Sequence, residues 1–252
     1  MKENLIRQAY EIAKERYAAI GVDVDKAMDT LQKISLSLHC WQADDVAGFE
    51  SNGSLSGGIQ ATGNYPGKAR NIDEVRQDVL KAASYLPGTH RLNLHEIYGD
   101  FQGKFVDRDQ VDVSYFESWI QWAAENKMKL DFNSTSFSHP KSGNLSLANP
   151  DKAIRDFWVE HTVRCRAIAE EMGKRQNDPC IMNIWVHDGS KDITVNRMLY
   201  RELLKDSLDR IFATEYKNMK DCIESKVFGI GLESYTVGSN DFYIGYGVSR
   251  RK

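Results

Sequence analysis

Short apolar runs alternate along this chain with longer stretches whose apolar residues recur every three or four positions. The short runs predict buried strands, and the longer stretches predict amphipathic helices. The predicted strands are 34–39, 91–95, 128–133, 180–186 and 222–229. The predicted helices are 2–20, one from about Asp25, one from Asn71 towards Pro87, one around Trp119, 151–172 with Gly173 as its stop, and about 195–216. Strands that alternate with helices in this way favour βαβ units and a parallel sheet.

The last predicted strand, 222–229, carries two charged residues, Glu224 and Lys226. Side chains two residues apart in a strand point to the same side, so the carboxylate and the ammonium group share one face. Burying either charge without a partner is costly. The pair therefore indicates either a functional site near the end of an inward-facing strand or a salt-bridged pair facing solvent on an edge strand.

Polar residues follow every predicted strand; they are His39, His95, Asn133, His187 and Lys226. In a (β/α)8 barrel the active site lies at the carboxyl ends of the strands, which favours that architecture here. A doubly wound sheet is the competing fold, but no G-x-G-x-x-G sequence opens a helix after any strand. Five strands are predicted where a barrel needs eight. We therefore expect residues 1–252 to be a single barrel-type α/β domain that holds about the first five βα units and ends before strand six.

Composition places the chain among ordinary globular proteins, with 41% hydrophobic and 27% charged residues and a net charge of −3. The charge and the lack of a basic stripe argue against nucleic-acid binding. No apolar run is long enough to cross a membrane, and the charged N-terminus is unlike a signal peptide, so we expect a soluble protein that is not secreted. The widely spaced cysteines predict buried free thiols rather than a zinc site or disulfides. They are Cys40, Cys165, Cys180 and Cys222.

Taken one at a time, the candidate site residues are weak evidence for a functional site. His95 could instead be a core histidine with its hydrogen bonds satisfied. Trp185 could simply pack in the core, and Phe137 could simply fill a loop. The histidines show no local metal-binding spacing. Taken together, aromatic walls with His, Lys and a carboxylate suit a carbohydrate site, because aromatic rings pack on sugar C–H faces and polar groups bind the oxygens. The polar, glycine-rich segment 42–70 is long for a loop, and such loops are usually functional.

The combination of motifs is more specific than its parts, and it strongly resembles the L-rhamnose isomerase family. The resemblance runs in order from the first helix to residue 250. It rests on LHCWQ at 38–42, GGIQATGNYPGKAR at 57–70, LNLH at 92–95, LDFN at 130–133, FSHP at 137–140, MNIW at 182–185, DG at 188–189, KDIT at 191–194, ESK at 224–226 and ESYTVGSN at 233–240.

This resemblance implies a (β/α)8 barrel of the xylose-isomerase-like type in a cytoplasmic homotetramer. It also implies an aldose–ketose isomerase that interconverts L-rhamnose and L-rhamnulose with a divalent metal, typically Mn²⁺. The implied reaction is a hydride shift between C1 and C2, in which the metals polarise the two oxygens and a metal-bound water moves the hydroxyl proton.

The resemblance also assigns roles to residues. Glu224 is implied to be the carboxylate shared by two metal ions, Lys226 to reach the substrate oxygen near the carbonyl carbon, and His95 to contact the ring oxygen and assist ring opening. The residues implied to line the pocket are Trp41, Phe137 and Trp185. The segment 57–70 is implied to cover the site or to reach a neighbouring subunit.

One departure from the family pattern decides what we expect of this chain alone. The family's other metal ligands lie on strands six to eight, beyond residue 252, and Glu224 by itself cannot hold a divalent ion that takes about six ligands. We therefore expect the chain to be inactive alone. The alternative is a non-catalytic sugar-binding or assembly protein that keeps the aromatic and histidine wall without a metal. A metal-dependent DNA-repair endonuclease is disfavoured by the acidic balance.

Overall fold

The computed structural model describes residues 2–40, 48–50, 66–226 and 235–250. Five strands alternate with helices as predicted, and two short strands and a last helix add to that pattern. The helices are α1 (Glu3–Ala18), α2 (Val24–Leu31), α3 (Ile72–Ala83), α4 (Glu117–Glu125), α5 (Lys152–Gln176), α6 (Arg197–Ile211) and α7 (Asn240–Ser249). The strands are β1 (Leu36–His39), β2 (His90–His95), β3 (Lys129–Ser134), β4 (Cys180–Trp185), β5 (Gly189–Ser190), β6 (Met219–Glu224) and β7 (Tyr235–Thr236). Short 3₁₀ turns occupy Glu96–Tyr98, Arg108–Gln110 and Val113–Phe116.

Five strands form one parallel sheet in the order β1-β2-β3-β4-β6, which confirms the predicted parallel α/β arrangement. Each of these strands joins its neighbour in chain order through at least one helix, the connection that parallel pairing requires. The other two strands, β5 and β7, pair antiparallel in a small separate ribbon near the carboxyl end of β4.

The two faces of the sheet have different chemistry. Phe132 and Met182 are register partners on β3 and β4, and both side chains are fully buried. The next pair along the same strands, Asn133 and Asn183, points to the opposite face because side chains alternate along a strand. One face is therefore apolar, and the other carries amides.

Helix α5 covers the apolar face. Asp221 of β6 is the register partner of Met182, and its carboxylate pairs with the Arg166 guanidinium of α5 at 2.8 Å. Trp158 and Ile168 of the same helix are buried in the core. The opposite, polar face is thus left to carry the strand-end side chains that form the candidate site.

The last strand of the sheet begins earlier than the sequence pattern predicts. It spans Met219–Glu224 rather than 222–229, because Met219 is buried and pairs with Cys180 at the start of β4. Lys226 follows two residues after the strand ends, and residues 227–229 lie outside the described part of the chain.

The long helix α5 does not stop at Gly173, as predicted, but continues to Gln176 and ends at Asn177 in the left-handed conformation. Gly173 serves a different purpose. A Cβ built there would overlap the carbonyl oxygen of Asn218. The glycine therefore allows α5 to lie against the segment that enters β6.

The outer strands β1 and β6 are less enclosed than the sequence pattern predicts. Ile34 precedes β1 rather than lying in it, and Leu36 is 50% exposed. Cys222 of β6 is exposed, so the prediction that all four cysteines are buried is wrong for this one. The other three are buried free thiols as predicted. Within the described ranges, no helix has both the length and the apolar character needed to span a membrane.

Candidate functional site at the carboxyl ends of the strands

His95 ends strand β2 and is almost completely buried. Its Nδ1 atom lies 3.1 Å from the hydroxyl oxygen of Thr135, which follows β3 by one residue. Its ring lies 5.3 Å, centroid to centroid, from the ring of His39 at the end of β1. Burial, together with the charge of Arg108 and the neighbouring His39, holds the pKa of His95 well below its usual range. The imidazole is therefore neutral near pH 7.

Glu224 ends strand β6, and its side chain is exposed. The Nδ2 atom of Asn183 donates a hydrogen bond to one carboxylate oxygen at 2.7 Å, which orients the group from the neighbouring strand. Burial lowers the pKa of His39, and the negative charge of Glu224 opposes that shift. His39 and Glu224 belong to the two outer strands of the sheet, so the charge of Glu224 acts on His39 from the opposite edge.

Lys226 is buried, and its Nζ atom donates a hydrogen bond to the main-chain oxygen of His187 at 2.7 Å. The interpretation of Glu224 and Lys226 as a matched pair facing solvent is therefore wrong for the lysine. A side chain on Gly189 would be in contact with this ammonium group, at 3.6 Å. The structure thus places the ammonium inside the fold beside the β4 end and leaves the carboxylate at the surface.

Phe137 and Trp185, which are 48 residues apart in the sequence, meet edge to face with their ring centroids 5.8 Å apart. Phe137 is fully buried, and Trp185 is partly exposed at the end of β4. The two residues predicted as pocket walls are therefore adjacent. The third, Trp41, lies outside the described residues, as does most of the segment 57–70.

Arg108 holds the loop that carries Phe137, a role that no motif in the sequence predicts. Its guanidinium is buried and donates hydrogen bonds to the main-chain oxygens of Thr135 and Phe137, both at 2.7 Å. It also forms an ion pair with Glu50. A single arginine in a polar stretch gives no periodic signal, so only the folded chain reveals these partners.

A second buried carboxyl group, that of Glu96, lies 3.8 Å from Arg108. Burial, reinforced by the negative charge of Glu50, raises the pKa of Glu96 well above its usual range, and the arginine opposes this shift. Burial disfavours the charged form of a carboxyl group, so Glu96 keeps its proton more readily than an exposed glutamate does.

His187 and Asp188 fix the loop beyond β4. The Nε2 atom of His187 donates to the main-chain oxygen of Gly143 at 3.1 Å, so Nδ1 is free to accept from the Ser136 hydroxyl at 3.2 Å. The Asp188 carboxylate accepts hydrogen bonds from the main-chain N–H of Ser146 at 2.7 Å and from that of Ala148 at 2.7 Å. These contacts tie the β4 end to the segment after β3.

The donors needed for a divalent metal are incomplete. Across residues 2–40, 48–50, 66–226 and 235–250, no three His, Cys, Asp or Glu side chains come together as a metal-binding group. Glu224 supplies one carboxylate. The buried Oδ1 atoms of Asn133 and Asn183, on the same face, lack a hydrogen-bond partner in the described chain. Oxygen atoms of this kind suit hard cations, but these three are fewer than the six or so that such ions take.

Comparison with known proteins gives the family. The family model for L-rhamnose isomerase matches residues 4–252. The chain belongs to the L-rhamnose isomerase family. It is 80% identical over 252 residues to the L-rhamnose isomerase of Bacteroides thetaiotaomicron, a match that covers the whole chain and 60% of that relative.

More distant members of the L-rhamnose isomerase family show the same coverage. The chain is 53% identical over 251 residues to the L-rhamnose isomerase of Rhodopirellula baltica, covering 98% of the chain and 58% of the relative. It is 49% identical over 250 residues to that of Salmonella paratyphi B, covering 98% of the chain and 59% of the relative. The chain thus spans about 60% of the length of the curated relatives it matches.

Proposed function

We propose that this chain forms the part of an L-rhamnose isomerase that supplies the aromatic and histidine side of the sugar pocket and one metal-binding carboxylate. The observation that carries the proposal is that His95, Trp185 and Glu224 each end a strand of one parallel sheet, with Phe137 packed against Trp185. These residues come from separate βα units. The reaction would be the interconversion of L-rhamnose and L-rhamnulose by a hydride shift, carried out by an aldose–ketose isomerase longer than this chain.

We further propose that residues 1–252 belong to one (β/α)8 barrel domain, of which they supply about five βα units. The all-parallel sheet supports this, as does the influence of Glu224 on His39 across the two outer strands, because a flat sheet would keep those strands far apart. A cytoplasmic homotetramer is proposed from the same family resemblance.

Each site residue has a task that its surroundings support. The neutral ring of His95 would hydrogen-bond to the ring oxygen of the sugar during ring opening. Lys226, buried beside the β4 end, would donate to the substrate oxygen next to the carbonyl carbon. The residues that would pack on the sugar C–H faces and exclude water are Trp41, Phe137 and Trp185.

A divalent cation, Mn²⁺ by the resemblance, would supply Lewis-acid polarisation of the two sugar oxygens. The described residues do not form a complete site for it, since no three His, Cys, Asp or Glu side chains among them come together. Glu224 would be one ligand, oriented by the Asn183 amide. The other ligands would come from outside the described residues, and the family resemblance puts them beyond residue 252.

A non-catalytic sugar-binding role is the second candidate. This role is favoured because the described residues fix the wall formed by His95, Phe137 and Trp185. They do not supply a complete set of metal ligands. Both functions include sugar binding, and they differ in whether a longer protein that contains this chain converts the sugar.

The test is conversion of L-rhamnose to L-rhamnulose by the purified chain with Mn²⁺, with and without excess chelator, beside the Bacteroides relative as positive control. We expect no turnover from this chain and chelator-sensitive turnover from the relative. Calorimetric titration with L-rhamnose should show binding that Trp185→Ala removes and that Trp122→Phe, remote from the strand ends, retains. Absence of sugar binding by the folded chain would refute both candidate functions.

A further inference from the structure

We propose that Thr135 is a positioning residue that fixes the ring orientation and the tautomer of His95. The use made of that ring rests on the proposed function, whereas the tautomer itself does not. Thr135 lies one residue beyond β3 and is fully buried.

All three polar groups of Thr135 are engaged. Its main-chain N–H donates to Nε2 of His161 at 3.3 Å, and its main-chain oxygen accepts from Nη1 of Arg108 at 2.7 Å. Its hydroxyl oxygen lies 3.1 Å from Nδ1 of His95. The residue is thus held through its backbone from two sides, which leaves its hydroxyl in a defined place.

His161 is a firm anchor because its own tautomer is determined. Its Nδ1 lies 3.0 Å from the main-chain oxygen of Arg108, and a carbonyl oxygen can only accept. The proton is therefore on Nδ1, and Nε2 accepts from the N–H of Thr135. Burial, aided by the positive charge of Arg108, lowers the pKa of His161 to about 3, so the ring stays neutral and keeps its acceptor near pH 7.

The hydroxyl of Thr135 donates its proton to His95 rather than accepting one. The Thr135 hydroxyl has one O–H, which needs an acceptor. Among the described residues, Nδ1 of His95 is the acceptor within hydrogen-bonding distance. A buried O–H left without an acceptor costs about 1–3 kcal/mol. Donation to Nδ1 puts the proton of the neutral His95 ring on Nε2.

This assignment gives the candidate site a hydrogen-bond donor of fixed direction. Nε2–H can donate to a sugar oxygen, whereas the other tautomer would present a lone pair to it. Thr135 therefore acts through His95 and would not itself touch the substrate. Through Thr135 the site is also linked to Arg108, which holds the main chain of this loop and forms an ion pair with Glu50.

The experiment is nitrogen NMR of the full chain labelled at histidine, with His95→Gln used to assign the His95 signals. Thr135→Val removes the hydroxyl at nearly constant shape, and Thr135→Ser keeps it. We expect wild type and Thr135→Ser to show protonated Nε2 and unprotonated Nδ1. In Thr135→Val that single-tautomer signature should be lost, so that the shifts of the two nitrogens converge.

Protonated Nδ1 in the wild-type protein would overturn the proposal, and so would an unchanged signature in folded Thr135→Val. Should the valine variant not fold, Thr135→Ala replaces it under the same criteria. Addition of L-rhamnose separates the two claims. The expected signature with no response of His95 to the sugar would support the positioning role and overturn the sugar assignment.

Discussion

The middle of the sheet and its outer strands differ in how completely side chains of this chain enclose them. At the carboxyl ends of β2 and β3, His95 and Asn133 are buried among partners from other βα units. On β6, Cys222 and Glu224 are exposed, and β1 carries the half-exposed Leu36. Both outer strands pair on one side only within the described residues.

This difference separates two parts of the candidate site. The histidine and aromatic wall is fixed by buried contacts such as those of Arg108, so its geometry belongs to this chain. The Glu224 carboxylate has one amide to orient it and solvent around it. A side chain with few fixed contacts keeps its conformational freedom, which binding must then restrict. Substitutions in the middle of the sheet should therefore destabilise the protein more than matched substitutions at its edges.

The largest effect is expected from Arg108→Met. The substitution removes a buried charge and leaves Glu50 and the loop carbonyls without their donor, so we expect a loss of about 3–5 kcal/mol in unfolding free energy. Urea-induced unfolding measures it. The matched control is Arg7→Ala, which breaks the exposed ion pair with Glu3 and should leave the midpoint unchanged. Equal effects of the two substitutions would contradict the contrast.

Truncation of two leucines compares an inner strand of the sheet with an edge strand directly. Leu94 on β2 is fully buried, and Leu36 on β1 is 50% exposed. Leu94→Ala should cost about 2–5 kcal/mol because it leaves a cavity, and Leu36→Ala about 1 kcal/mol or less. The same unfolding assay decides. A larger loss from Leu36 would show that the edge is enclosed in solution.

A glycine pair tests how firmly β6 is tied to the middle of the sheet. In Gly173→Ala the new methyl group would meet the Asn218 carbonyl, so α5 must shift away from the segment entering β6, at a cost of about 1–3 kcal/mol. In α7, Gly245→Ala has open space and should be neutral or slightly stabilising. Thermal unfolding of both variants is the measurement, and a neutral Gly173→Ala would contradict the close approach.

The smallest expected effect is a pH dependence at His161. Its pKa is lowered from 6.5 in the unfolded chain to about 3 when folded, so the unfolded state binds more protons between these values. The stability advantage of wild type over His161→Gln should therefore shrink as the pH falls, by about 2 kcal/mol between about pH 7 and about pH 5. Urea unfolding at the two pH values measures it. A constant difference would mean that the histidine is not kept neutral.

Much of the fold could be predicted because it depends on local periodicity. The alternation around Leu92 and Leu94 predicted β2, and the predicted helix start at Asn71 was confirmed: this side chain caps the helix by accepting a hydrogen bond from the N–H of Glu74 at 3.0 Å. The residues at which helices and strands end were predicted less well. Gly173 was misread as a stop, since a glycine needed for close packing looks the same in sequence as one that ends a helix.

The site was predicted in part. Phe137 and Trp185 were expected to share a pocket wall through family resemblance, and the fold brings them into contact. The roles of His95, Lys226 and Glu224 in a reaction remain predictions. The burial of Lys226 could not be foreseen, because the position of a side chain two residues beyond a strand depends on the loop it enters.

By itself, the sequence determined the five parallel strands, the helices between them and membership of the L-rhamnose isomerase family. These follow from periodicity and from motifs read along the chain. Only the tertiary structure decided that Arg108 would hold the loop of Thr135 and that this threonine would meet His95. Those partners are 27 and 40 residues apart, and no local pattern encodes such contacts, which arise when parallel strands bring their carboxyl ends together.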